Sequence, residues 1–255
     1  MGEELLMKIA SLLSLIIVAA TASATIVTKK VAYEQGGVAL EGYLAYDDAI
    51  KTKKPGVLII HDWDGLTGYE ESRAKQLAEL GYVAFAADIY GRDSRPKTMQ
   101  ENGQAAGKYK NDPNLFHLRL KAGLDKLRSL TEVNKQKIAA IGYCFGGTGV
   151  LEMARAGMDL KGIVSFHGGL STKDPAKPKS IKSQMLIAHA LRDPAQEPGA
   201  WDTFLAEMKQ GGANPETITF DIATHAFTVP GPMYDANADK QSWAAMQAFL
   251  SKLFR

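Results

Sequence analysis

The only cysteine of the 255-residue chain, Cys144, lies in Gly142-Tyr143-Cys144-Phe145-Gly146-Gly147. An apolar strand pattern, Lys137 to Tyr143, runs straight into it, and helical spacing follows from Phe145 to Ala156. Strand, G-x-C-x-G, helix is the pattern of a nucleophile elbow with sulfur in place of a hydroxyl. The chemistry explains the spacing. The nucleophile sits on a tight, strained turn whose flanking residues come close together, so Gly142 and Gly146 must lack bulk. The turn sets the sulfur at a helix N-terminus, where the dipole favours thiolate. It also aims the Phe145 N–H at the oxygen of a bound carbonyl. A phosphate-loop reading fails because Thr148 stands where the lysine belongs. A dinucleotide fingerprint fails because Cys144 takes the place of its second glycine. A glycine-rich turn around an inert buried cysteine fits the same five residues, so the elbow needs partners to carry meaning.

Such a nucleophile requires an acid and then a histidine, in that order, in loops after later strands. Five histidines are present. His225, in Ala223-Thr224-His225-Ala226-Phe227, directly follows the β-rich run Thr217 to Ile222 and precedes the last helix. His117 lies in a helix before the nucleophile, and His61 follows an earlier strand. His167 and His189 end strands and fit core or supporting roles. Asp193 follows the strand Gln184 to Ala188 by a short loop and is the best-placed acid. Asp174 and Asp202 are less well placed, Asp202 at the start of a surface helix. In the order Cys144, Asp193, His225, the histidine would take the thiol proton and the aspartate would hold the imidazole.

The elements that must position these residues alternate along the chain. Ile26 to Tyr33 and Val38 to Tyr46 flank Gln35-Gly36-Gly37 and read as an antiparallel hairpin. Short apolar strands are expected at 56–60, 82–87, 137–143, 162–166, 184–188 and 217–222. Helices are expected at 69–80, 115–130, 145–156, 201–209 and 240–253. This rhythm predicts an α/β fold, a mostly parallel sheet with helices on both faces. Two polar stretches, Arg92 to Asn114 and Ser171 to Lys182, read as loops beside strand ends, placed to shape a substrate site.

Composition excludes several classes. Lys plus Arg is 30 against 28 for Asp plus Glu, a net charge of +2, which gives no basis for nucleic-acid binding. One thiol makes no internal disulfide and no cysteine-rich metal site. Met7 to Ala24 reads as a cleavable export signal: Lys8, an apolar run Ile9 to Ala20, and Ala22-Ser23-Ala24. The run is shorter than the roughly 20 residues that span a bilayer. The expectation is therefore an exported protein, periplasmic or secreted, with one domain over 25–255 and no membrane span after cleavage.

Several separated segments resemble the dienelactone hydrolase family, α/β-hydrolases with a cysteine nucleophile. Gly142 to Gly147 resembles its elbow, Asp193 its acid and His225-Ala226-Phe227 its histidine motif. His61-Asp62-Trp63-Asp64-Gly65-Leu66 and Asp88-Ile89-Tyr90-Gly91-Arg92 resemble two further family loops. The resemblance spans about Val31 to Leu253. It implies a resting-state contact between Asp62 and the thiol, a second oxyanion-hole N–H from Trp63 beside that of Phe145, and substrate binding by Arg92. It also implies a monomer acting on a small ester or lactone, with no metal or cofactor. Family members that act on anionic lactones place a second arginine just past the catalytic histidine. Here Thr228 and Val229 follow Phe227, which leaves the specific dienelactone substrate open.

Two readings compete with the esterase. A cysteine amidohydrolase of the glutaminase kind needs His-x-Glu, and Phe227 stands at that glutamate position. A non-catalytic binding or redox protein would use the free thiol without His225.

Overall fold

The structure is a computed structural model and describes residues 25–255, positions 50 and 178 excepted. The proposed export signal lies outside the described residues. β1 (Ile26–Gln35) and β2 (Val38–Asp47) form the expected hairpin, with Gly36 and Gly37 both at positive φ in the turn. Then come β3 (Lys54–Ile60), α1 (Gly68–Glu79), β4 (Val83–Ala87), α2 (Met99–Asn111) and α3 (Pro113–Ser129). Flanking Cys144 are β5 (Val133–Tyr143) and α4 (Phe145–Arg155). The rest is β6 (Gly162–Phe166), β7 (Gln184–Ala190), α5 (Ala200–Gly211), β8 (Glu216–Phe220) and α6 (Ala236–Leu253).

These strands form one eight-stranded sheet ordered β1-β2-β4-β3-β5-β6-β7-β8. Pairing is antiparallel from β1 to β4 and parallel from there to β8. From Gly56 onward every residue of β3 is buried, as are all of β4 and β6. Both faces are therefore covered, which is why these strands read as unbroken apolar runs. Leu58 and Ile60 enter the core beneath α3 and α4, while Val57 and Ile59 enter the one shared with α1 and α6. No helix of the described residues is long and apolar enough to cross a membrane.

One expectation needs correction. The polar stretch 92–114 is not all loop, because α2 occupies its second half. Thr98 caps it by accepting the Glu101 N–H at 3.2 Å, and only Ala106 and Tyr109 are fully buried. Two buried residues among glycines, glutamines and lysines leave too faint a stripe to read as helical. The described residues of the stretch 171–182 are irregular, as expected. Its start is anchored by Arg155, whose buried guanidinium pairs with Glu152 and Glu207 and donates to the Leu170 carbonyl.

Candidate active site

The site gathers at the carboxyl ends of β3, β5, β6, β7 and β8, where ligands of open α/β sheets bind. Cys144 sits between β5 and α4 at φ 48°, ψ −106°, a conformation disfavoured for a side-chain-bearing residue. The crowding predicted around the elbow is severe. A Cβ on Gly142 would lie 2.0 Å from the Gly146 carbonyl oxygen, and one on Gly146 would lie 2.0 Å from that of Ile60.

The structure brings Cys144, Asp193 and His225 together. His225 Nε2 lies 2.9 Å from Cys144 Sγ, and His225 Nδ1 lies 2.8 Å from Asp193 Oδ2. Asp193 is buried; its Oδ1 accepts the Ala195 N–H at 2.8 Å, and its Oδ2 takes a longer bond from the Gln196 amide. Burial works against its charge. The His225 hydrogen bond and charge, with these further donors, outweigh that and hold the carboxyl below its ordinary pKa. An ionised Asp193 fixes the tautomer in which Nδ1 carries the proton and Nε2 faces the sulfur with its lone pair. Asp174 is an exposed loop residue and Asp202 lies in the first turn of α5, so neither takes the acid's place.

Burial, then the adjacent Asp62 carboxylate, pushes the Cys144 thiol well above its ordinary range; Lys110 and the Phe145 N–H oppose this. The same contact is felt by Asp62: burial raises its carboxyl, and hydrogen bonds from the Trp63 N–H and the thiol oppose the rise. The resting site thus holds a protonated thiol against a carboxyl group. Trp63 N–H donates to Asp62 Oδ1 at 2.5 Å, so this amide is engaged, while the Phe145 amide points at the sulfur.

The loop carrying Asp62 and Trp63 is held from three sides. Glu70 accepts the Asp62 N–H at 3.1 Å and the Thr67 N–H at 2.9 Å, which makes it the far half of a capping box on α1. Burial lifts its carboxyl to about 7. His61 donates from Nδ1 to the Asp62 carbonyl at 2.6 Å and accepts the Ile89 N–H at Nε2, and burial lowers its pKa to about 4. The Tyr90 hydroxyl donates to the Trp63 carbonyl at 3.0 Å. The Thr67-to-Glu70 spacing was a readable signal for this support.

Arg92 is not brought to the cluster. Its N–H donates to the Ala39 carbonyl just after Gly91 at φ 119°, and its half-exposed guanidinium pairs with Asp93 in solvent. The cation whose charge reaches both Asp62 and the thiol is Lys110, in the unexpected α2. It borders a pocket of about 320 Å³ with Tyr109, Phe116, Thr148, Gly169 and Gln196. Thr148 lies one turn beyond Cys144, and Gln196 bonds Asp193, so this pocket adjoins the Cys144–His225–Asp193 cluster.

Of the other histidines, His117 pairs with Glu152 at 3.2 Å and His189 stacks on Trp201 at 4.6 Å between ring centroids. His167 lies at the centre of the cluster, bonded to the Cys144 amide. Among the described residues no group of three or more His, Cys, Asp or Glu is arranged to hold a metal ion.

Comparison with known proteins points one way. Residues 40–254 match the family model described as "Dienelactone hydrolase family". The chain superimposes on P91, a dienelactone hydrolase-like promiscuous phosphotriesterase from metagenomic libraries, with a TM-score of 0.85 and 32% identity. That match covers 91% of this chain and 100% of the other. A solved structure called m3DLH gives a TM-score of 0.85 at 31% identity, over 90% and 99% of the two chains. The hydrolase tropI of Talaromyces stipitatus is 29% identical over 83% of this chain and 84% of its own.

Proposed function

The chain belongs to the dienelactone hydrolase family, and from that membership we propose that it hydrolyses small carboxylic esters or lactones with Cys144 as nucleophile. One observation carries the reading: the unbroken contact chain Asp193–His225–Cys144, at 2.8 and 2.9 Å. His225 Nε2 takes the thiol proton as the sulfur attacks the carbonyl carbon. The resulting oxyanion is stabilised by the N–H groups of Phe145 and Trp63. Collapse breaks the carbon–oxygen ester bond, and His225 passes its proton to the leaving alkoxide. Water, deprotonated by His225, then attacks the thioester and releases the acid and the thiol.

In this scheme Asp62 must leave Trp63 before the carbonyl oxygen can take the amide. Its departure also removes the charge that, after burial, raises the thiol. Substrate entry therefore frees both reaction partners at once. Lys110, rather than Arg92, is the cation beside the path and would favour an anionic group in the 320 Å³ pocket.

The test is steady-state hydrolysis by residues 25–255 and by Cys144→Ala, using an activated acetate ester, a neutral lactone, an anionic lactone and a neutral phosphotriester. Turnover that disappears with Cys144 supports the reading. Turnover retained by Cys144→Ala would sink it. The reading also takes the chain as exported, on the strength of Met7 to Ala24. Expression in a bacterial host and N-terminal sequencing of the recovered protein tests that: a start at Thr25 supports it, and an intact Met1 or Met7 start refutes it.

A further inference from the structure

His167 is fully buried, directly follows β6 and adopts φ 40°, in the left-handed region. That conformation is uncommon for a residue other than glycine and persists where its surroundings hold it. Two hydrogen bonds do so. Nδ1 accepts the Cys144 N–H at 3.1 Å, an amide also shared with the Phe166 carbonyl at 3.0 Å. Nε2 lies 2.7 Å from Thr228 Oγ1. Because Nδ1 accepts, the ring proton of the neutral form resides on Nε2 and is donated to the threonine. Burial, with the neighbouring His225 adding to it, favours that neutral form.

Thr228 lies three residues beyond His225. Its hydroxyl also accepts from the Tyr69 hydroxyl at 2.8 Å, and its carbonyl accepts from Arg73, which is paired with Asp239 of α6. The His167 ring meets the His225 ring edge-on at 5.6 Å and the Phe227 ring at 4.9 Å. The reacting atoms, Sγ and His225 Nε2, belong to two loops 81 residues apart. Among the described residues, His167 is the one side chain hydrogen-bonded to both Cys144 and the loop of His225.

We propose that His167 is a positioning residue: its ring bonds the Cys144 amide through Nδ1 and Thr228 through Nε2, and so sets the separation of thiol and catalytic imidazole. It touches no substrate and exchanges no proton in the reaction. The proposal rests on Cys144 being the nucleophile, as above. A misplacement on the order of 1 Å between nucleophile and base is enough to cost about 10²-fold in rate.

The experiment reads kcat and KM for 4-nitrophenyl acetate, and separately the rate at which iodoacetamide alkylates the sole thiol. Thr228→Val removes the hydroxyl at nearly constant volume, and Thr228→Ser restores it. His167→Asn keeps an acceptor near the Cys144 amide and tolerates the positive φ, but it does not reach Thr228. Tyr69→Phe removes only the third partner of the threonine. Thr228→Val and His167→Asn are each expected to lower kcat and alkylation about tenfold or more, with KM changed by less than about threefold. Thr228→Ser and Tyr69→Phe should stay within about twofold of the parent. The double variant should be no slower than the slower single, because both changes cut one bond. Parent-like kcat and alkylation in Thr228→Val, a loss confined to KM, or multiplicative losses in the double variant would each overturn the proposal. Cys144→Ala, assayed beside them, separates the two failures. If it still hydrolyses the ester, the hydrolase reading and the proposal both fall. If it is inactive while Thr228→Val is unaffected, the proposal alone falls.

Discussion

Asp62 occupies the Trp63 amide and faces the Cys144 thiol at the same time. One carboxyl group thereby restrains two groups that the proposed reaction uses: the sulfur, which stays protonated, and the Trp63 amide, which stays engaged. The restraint has a chemical use in a chain whose lone thiol is predicted to meet an oxidising compartment, because the thiolate is the form that oxidises.

Replacing Asp62 by alanine should therefore lower the thiol pKa, since the charge that raises it is gone. Iodoacetamide alkylation at neutral pH should speed up several-fold, because a larger share of the sulfur is thiolate. A pH profile of alkylation checks this. An unmoved midpoint would mean that burial alone sets the thiol.

Cys144→Ala and His225→Ala should each lower kcat by about 10³-fold or more, and the double variant should be little worse than either alone. Steady-state kinetics on the activated ester provides the check. A redox or binding protein would instead show thiol cycling or ligand binding that survives loss of His225.

Lys110→Ala should raise KM for an anionic ester by about tenfold, the scale of one charge-assisted contact. It should leave a neutral ester of equal size unchanged. Arg92→Ala should affect neither, because Arg92 pairs with Asp93 in solvent. Parallel KM measurements on the two esters distinguish the two cations.

Glu70 gives a pH-dependent stability with a definite sign. Its folded pKa is raised from 4.5 to about 7, so the folded state holds this proton more tightly than the unfolded chain. That contribution is complete below 4.5 and is lost as pH rises through about 7. Glu70→Gln should flatten this part of the stability profile while costing about 1 kcal/mol, because both carboxyl oxygens accept hydrogen bonds and an amide replaces one of them. Urea melts of parent and variant across this range measure both effects.

The parts of the molecule legible from residues alone are those whose physics is local. The elbow showed itself because strand, glycine, nucleophile and glycine occur within a few residues. Asp193 and His225 followed from chain order and from the strands they end. The buried strands were visible as apolar runs because both sheet faces are covered. Helix α2 was hidden, since only Ala106 and Tyr109 of it are buried. The direction of the Arg92 side chain, out to Asp93, was not legible from its position after Gly91. The His167 bonds join residues 23 and 61 apart in the chain, a separation that no spacing rule connects.

The order of assembly along the chain has its own consequence. The elbow belongs to β5, but its base arrives on the loop after β8, the outermost parallel strand, 81 residues later. Contacts of such separation close late, because chain entropy must be overcome first. A nascent or partly unfolded chain therefore carries its sulfur without its base, and without the burial and the Asp62 contact that raise the thiol in the folded site. Docking of β8 against β7 is the step that brings His225 to the sulfur.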